Sequence, residues 1–154
     1  MIQRKQSVFI LLAMCLMASI MIWPIDVYAS VHGLTELRWT GLWDVSDANA
    51  PKLVSPLVPL TSLVVISMVL NLVGLFLFKK RPLQMRLVGI ASGVEFGVML
   101  VLIYISNSLA SSLGAELHFA VRWIVPLLAA VFDVLAYRGI SDDEALVRSL
   151  DRLR

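Results

Sequence analysis

Four long apolar blocks constrain this chain more than any other feature. They run over about 7–25, 57–78, 83–105 and 118–138. Each is roughly 19–23 residues, and at about 1.5 Å per residue a helix of that length matches a hydrocarbon core of about 30 Å. Inside lipid the backbone has no water to bond, so each block is expected to be a helix. Of the 154 residues, 59% are hydrophobic and 16% charged. Soluble domains run nearer 45–50% and 25%. Since the excess is gathered into blocks, the expected class is an all-α membrane protein. Its four-transmembrane-helix bundle fills residues 1–140, and a short amphipathic C-terminal helix fills 141–154. The lipid bilayer is then the first partner.

The basic residues orient the bundle. Arg4 and Lys5 precede the first block, and Lys79, Lys80, Arg81 and Arg86 join the second to the third. Arg138, Arg148, Arg152 and Arg154 follow the fourth. In a four-span arrangement these ten share one side, against Arg38, Lys52 and Arg122 on the other. Basic residues favour the cytoplasmic side. Both termini are therefore expected in the cytoplasm, and Trp23, Tyr28, Trp39, Trp43, Tyr104 and Trp123 at or near the outer face. Two alternatives attach to the first block: a cleaved secretory signal ending at Ala29, and a lipoprotein signal ending at Cys15. The first needs a shorter apolar stretch than this one. The second needs a smaller residue than Met14 before the cysteine. The formal charge of +2 reflects orientation and does not point to nucleic acid.

Between the first two blocks, Asp26–Pro56 reads as an outer segment lying on the bilayer, with its tryptophans as anchors. A partner- or ligand-binding loop is the sharper alternative. Ser106–Leu117 reads as a short second outer loop. Lys79-Lys80-Arg81-Pro82 is a tight inner turn that makes blocks two and three a hairpin, with Pro82 suited to the first turn of a helix.

Polar groups inside the blocks are costly in hydrocarbon, at about 2.5–3.5 kcal/mol on insertion scales for a charge. Glu95 and Asn71 fall at similar depth and are candidate partners. Asp133 lies within reach of Arg86, and the two are expected to pair. Arg122 and Asp133, eleven residues apart, share a helix face with Pro126, Ala129 and Tyr137. Arg122 is near enough to the outer surface to snorkel. Gly89, Gly93 and Gly97 form a small-xxx-small stripe, which permits close helix packing within the chain or in a homo-oligomer.

Ser141-Asp142-Asp143-Glu144 has the form of a capping box. Leu146, Val147, Leu150 and Leu153 recur as an apolar stripe beyond it, with Arg148 and Arg152 on a neighbouring face. These residues would lie on the inner leaflet, fold against the bundle, or contact a cytosolic or membrane partner. There is no nucleophile–base pair, metal-type Cys/His cluster, phosphate loop or nucleotide fingerprint. No cofactor, metal or enzyme activity is therefore expected.

Three segments carry a family resemblance. They are the opening Met1-Ile2-Gln3-Arg4-Lys5-Gln6, the turn Lys80-Arg81-Pro82-Leu83-Gln84-Met85-Arg86-Leu87, and the tail Leu135-Ala136-Tyr137-Arg138-Gly139-Ile140 with Asp143-Glu144-Ala145-Leu146-Val147-Arg148-Ser149 and Asp151-Arg152-Leu153-Arg154. Together they resemble the bacterial family called domain of unknown function 4293. The resemblance implies a four-span bacterial inner-membrane protein with inner termini, and no activity. The chain departs from that family's common pattern at Tyr137 and Glu95. Two functions follow as expectations. One is a structural or adaptor membrane protein working through helix packing and its tail. The other is a small channel or proton-coupled transporter using Glu95, Asn71 and Asp133.

Overall fold

A computed structural model describes residues 3–30, 33–47, 50–113 and 121–151. The apolar blocks fold as helices α1 (Gln3–Ile22), α2 (Val58–Phe76), α3 (Arg81–Leu113) and α4 (Ile124–Asp151), the last preceded by a 3-10 turn over Val121–Trp123. Pro59 sits in the first turn of α2, where its missing N–H leaves no bond unmade. The helices run alternately up and down. α1 and α4 pack together through stacked Phe9 and Phe132, with ring centroids 6.2 Å apart. Three helices, α2, α3 and α4, are long and apolar enough to cross a membrane. The described apolar part of α1, Gln6–Ile22, is shorter.

The segment between α1 and α2 is where the all-α expectation fails. Residues 26–56 form a four-stranded antiparallel sheet in simple order: β1 (Asp26–Ser30), β2 (Gly33–Arg38), β3 (Gly41–Asp44) and β4 (Lys52–Pro56). Ser30 pairs with Gly33 and Arg38 with Gly41, and Trp39 and Thr40 close the second hairpin. Gly33 and Gly41 have φ of +129° and +154°, a region that favours glycine. The sheet packs on the helix ends. Ile25, Tyr28 and Leu37 are buried in one core with Ile20, Leu60, Leu102 and Trp123, and Trp39 and Leu42 pack on it. The Leu57 N–H donates to the Thr40 carbonyl at 3.2 Å, and the Thr61 hydroxyl to the Trp39 carbonyl at 3.0 Å. These bonds fix the sheet as a cap on one end of the bundle. Trp43 is also held by protein: its Nε1 donates to Thr40 Oγ1 at 3.1 Å, and the Arg38 guanidinium lies over its ring at 5.3 Å. Trp23 is 55% exposed.

Two helices are longer than their apolar blocks. α3 continues past Ile105 to Leu113, and Ser106 and Ala110 are buried along this extension. α4 continues through the expected break at residue 141. Gly139 does not stop it, since a Cβ there would meet Gln6 Cγ at 3.1 Å and the glycine is used for close approach to α1. Ser141 therefore caps nothing, and Asp143 instead accepts a hydrogen bond from Gln6 Nε2 at 2.5 Å. The tail is a direct continuation of α4, and Gln6 of α1 lies against it. Arg152 and Leu153 lie outside the described residues, as do the side chains of Arg148 and Leu150.

Burial pushes the Tyr28 phenol up to about 12, helped by Asp26 and opposed by the Ser106 hydroxyl. The unfolded phenol ionises near 10. Its contribution is then complete below pH 10, falls as the unfolded state alone ionises, and is gone above pH 12. Tyr28→Phe should remove a stability loss of up to about 3 kcal/mol between these limits. Thermal melts of both proteins across that range, followed by tryptophan fluorescence, measure the difference. Parallel pH dependence in the two would show the phenol to be irrelevant.

Candidate functional site

The bundle is apolar outside and polar within. Val65, Ile66, Val69 and Leu72 of α2, Ile90 and Leu100 of α3, and Leu127, Val131 and Val134 of α4 are exposed. Ser67, Asn71, Glu95 and Asp133 are wholly buried. A soluble bundle shows the reverse arrangement.

These four residues meet because of spacing. Ser67 and Asn71 are four apart, one turn on the inward stripe of α2 with Leu60, Val64 and Gly74. Both donate to the same oxygen: Ser67 Oγ and Asn71 Nδ2 each lie 2.9 Å from Glu95 Oε1. Asp133 enters from α4, between buried Ala129 and Ala136. It acts electrostatically on Glu95, and Asn71 acts on it. Three helices thus place two carboxyls and an amide in one sealed cluster. Glu95 Oε2, Asn71 Oδ1 and both Asp133 oxygens have no hydrogen-bond partner. The cluster is rich in acceptors and short of donors. A proton on a carboxyl, or a small cation held by oxygens alone, supplies what it lacks.

The other candidates are placed differently. Arg86 is exposed at the hairpin end and does not pair with Asp133. Among the described residues the ion pair is Arg38–Glu36, at 2.8 Å. A guanidinium can stay hydrated at that end of the helix, whereas reaching Asp133 means leaving water. Arg122 is exposed in the 3-10 turn, while Pro126, Ala129 and Asp133 of its expected face are buried and Tyr137 is 39% exposed. The glycine stripe is not packed within the chain. A Cβ on Gly93 or Gly97 would meet nothing within 4 Å, and one on Gly89 would touch only Tyr137. Leu146 and Val147 are exposed, at 59% and 41%. Ser67 went unnoticed in the sequence. The signal was its four-residue spacing from Asn71, hidden because serine is common in apolar helices. No group of three or more His, Cys, Asp or Glu suited to a metal occurs among the described residues.

A profile of the family described as Domain of unknown function (DUF4293) matches residues 2–153. The chain belongs to this family. No curated protein matches it. DUF4293 therefore contributes a shared sequence pattern over almost the whole chain and no assigned chemistry. What this DUF4293 protein does has to be argued from its own side chains.

Proposed function

We propose that this DUF4293 protein is a structural or adaptor component of the bacterial inner membrane, with four spans and both termini in the cytoplasm, and is not an enzyme. The observation that carries the reading is the unbroken α4. One continuous helix runs from the sheet-capped end to Asp151 and leaves Leu146 and Val147 exposed. An apolar pair on such an arm is suited to a protein partner in the cytosol or membrane. α1 counts as the fourth span because Val8, Leu11 and Leu12 are exposed along it, like the outward residues of the other helices.

The arm is tested by Leu146→Asp with Val147→Asp. Membrane insertion should be unchanged and a co-purifying partner lost; full retention of every partner would remove the adaptor role. Orientation is tested separately with Cys15, which is exposed, replaced by serine. Asp47→Cys should react with an impermeant thiol reagent in intact cells, and Lys80→Cys should not. Labelling at 80 from outside would overturn the four-span arrangement.

A second reading is favoured by the donor shortage around Glu95 and Asp133. A pair of sealed carboxyls in the middle of a bundle can take up and release a proton, which would make the protein proton-coupled.

A further inference from the structure

α3 and α4 leave a groove on their outward side, beside the arginine end of the bundle. It is a hollow of about 470 Å³, lined by Ser92, Gly93, Phe96, Ala130, Val134 and Arg138. A second hollow of about 320 Å³ shares Ser92, Val134 and Arg138 and extends to Gly89 and Tyr137. These volumes are those of ligand sites, roughly 300–1,000 Å³. Gly93 lines the larger hollow and a Cβ there would meet nothing within 4 Å; Gly97, one turn further along α3, is open in the same way. Its walls are nearly all apolar. Its charge is confined to one end, where Arg138 lines it and exposed Arg86 lies one turn before Gly89 on the same face of α3. Neither arginine has an ion pair among the described residues, and Asp142, one turn beyond Arg138, does not neutralise it.

We infer that the α3–α4 groove is a binding site for an anionic phospholipid, with an acyl chain lying along Gly93 and Gly97 and the phosphate held by Arg86 and Arg138. The lipid comes from the leaflet at the arginine end, which is the cytoplasmic leaflet in the orientation proposed above. The chemistry is matched at both ends. An acyl chain, which has no polar group to satisfy, fills an apolar groove. Guanidinium groups meet phosphate oxygens in bidentate geometry. Basic pockets between membrane helices are suited to anionic headgroups for this reason.

A second copy of the chain is the competing occupant, since exposed glycine stripes also suit helix dimers. Charge decides against it. All copies in one membrane share one orientation, so a two-fold dimer through this groove brings Arg86 and Arg138 of both copies to the same depth. Four guanidiniums with no acidic partner would then crowd one edge of a dry interface. An anionic lipid at that edge removes the repulsion.

The full chain, purified in detergent, can be incubated with dioleoyl phosphatidylglycerol or dioleoyl phosphatidylcholine and the bound lipid counted by native mass spectrometry. The wild type should retain phosphatidylglycerol roughly 25-fold better, since each of the two arginines near an anionic headgroup contributes about a factor of five. Arg86→Gln with Arg138→Gln, both at exposed positions, should abolish that preference and leave the melting temperature unchanged. Gly93→Phe should reduce retention of both lipids. Equal retention of the two lipids by the wild type, or an intact preference in the double glutamine variant, would overturn the inference. A lipid-free dimer that Gly93→Phe dissociates would overturn it in favour of a second copy.

Discussion

Asn71→Leu is expected to destabilise the protein by about 2 kcal/mol. Its amide is one of two donors on Glu95 Oε1, with the Ser67 hydroxyl, and it also faces Asp133. Removing it leaves two buried carboxyls with a single donor, and an unmade buried hydrogen bond costs about 1–3 kcal/mol. Glu95→Leu on that background should recover most of the loss, because taking away both partners of a buried polar pair is nearly neutral. Thermal unfolding of both single variants and the double variant in one detergent gives the coupling directly. Additive losses would mean that the two side chains do not support each other. Glu95→Gln separates the two functional readings. An amide keeps one acceptor and adds two donors to a cluster that lacks donors, so stability should hold or rise. If a pH-dependent flux in reconstituted vesicles also disappears while the melting temperature holds, the carboxyl carries protons and the purely structural reading fails.

Gly41→Val should have a comparable or larger effect, of about 3 kcal/mol, localised to the sheet. Gly41 has φ of +154°, and a valine there is strained by about 1–3 kcal/mol. A Cβ would also press on the Ser55 carbonyl, a backbone atom of the paired strand β4 that cannot swing aside. Strand β3 would have to separate from β4. Leu42 and Trp39 would lose their packing on Ile25, Tyr28 and Leu37. Near-ultraviolet circular dichroism should lose its tryptophan signal at a lower temperature, with far-ultraviolet helix content preserved to a higher one. A single transition at the wild-type temperature would show that the sheet accommodates a side chain at residue 41.

The helices were legible in the sequence because the evidence for them is local and repeated. About twenty apolar residues in a row leave the backbone one way to satisfy its bonds in lipid, and α2 at Val58–Phe76 falls within the block read as 57–78. Depth along the chain was enough to place Asn71 and Glu95 together. The sheet was harder to see. Gly33 and Gly41, eight residues apart, mark its turns, but its strands carry no clean alternation. β2 contributes a single buried residue, Leu37, and β4 none. Sheet pairing and the helix ends beneath it supply the rest, and neither is a property of residues 26–56 alone. The tail is helical as expected, but its start at residue 141 was misplaced for a related reason. Ser141-Asp142-Asp143-Glu144 has the composition of a helix start, yet the turns before it are already helical and Asp143 is taken by Gln6, 137 residues away. The sequence by itself determined the apolar blocks, their lengths and the positions of the polar groups along each helix. Tertiary structure alone decided that Asp133 joins Glu95 and not Arg86, and that the glycine face of α3 stays open. Both depend on helix rotation, which is set by how whole faces pack in the assembled bundle and not by the spacing of residues along any one helix.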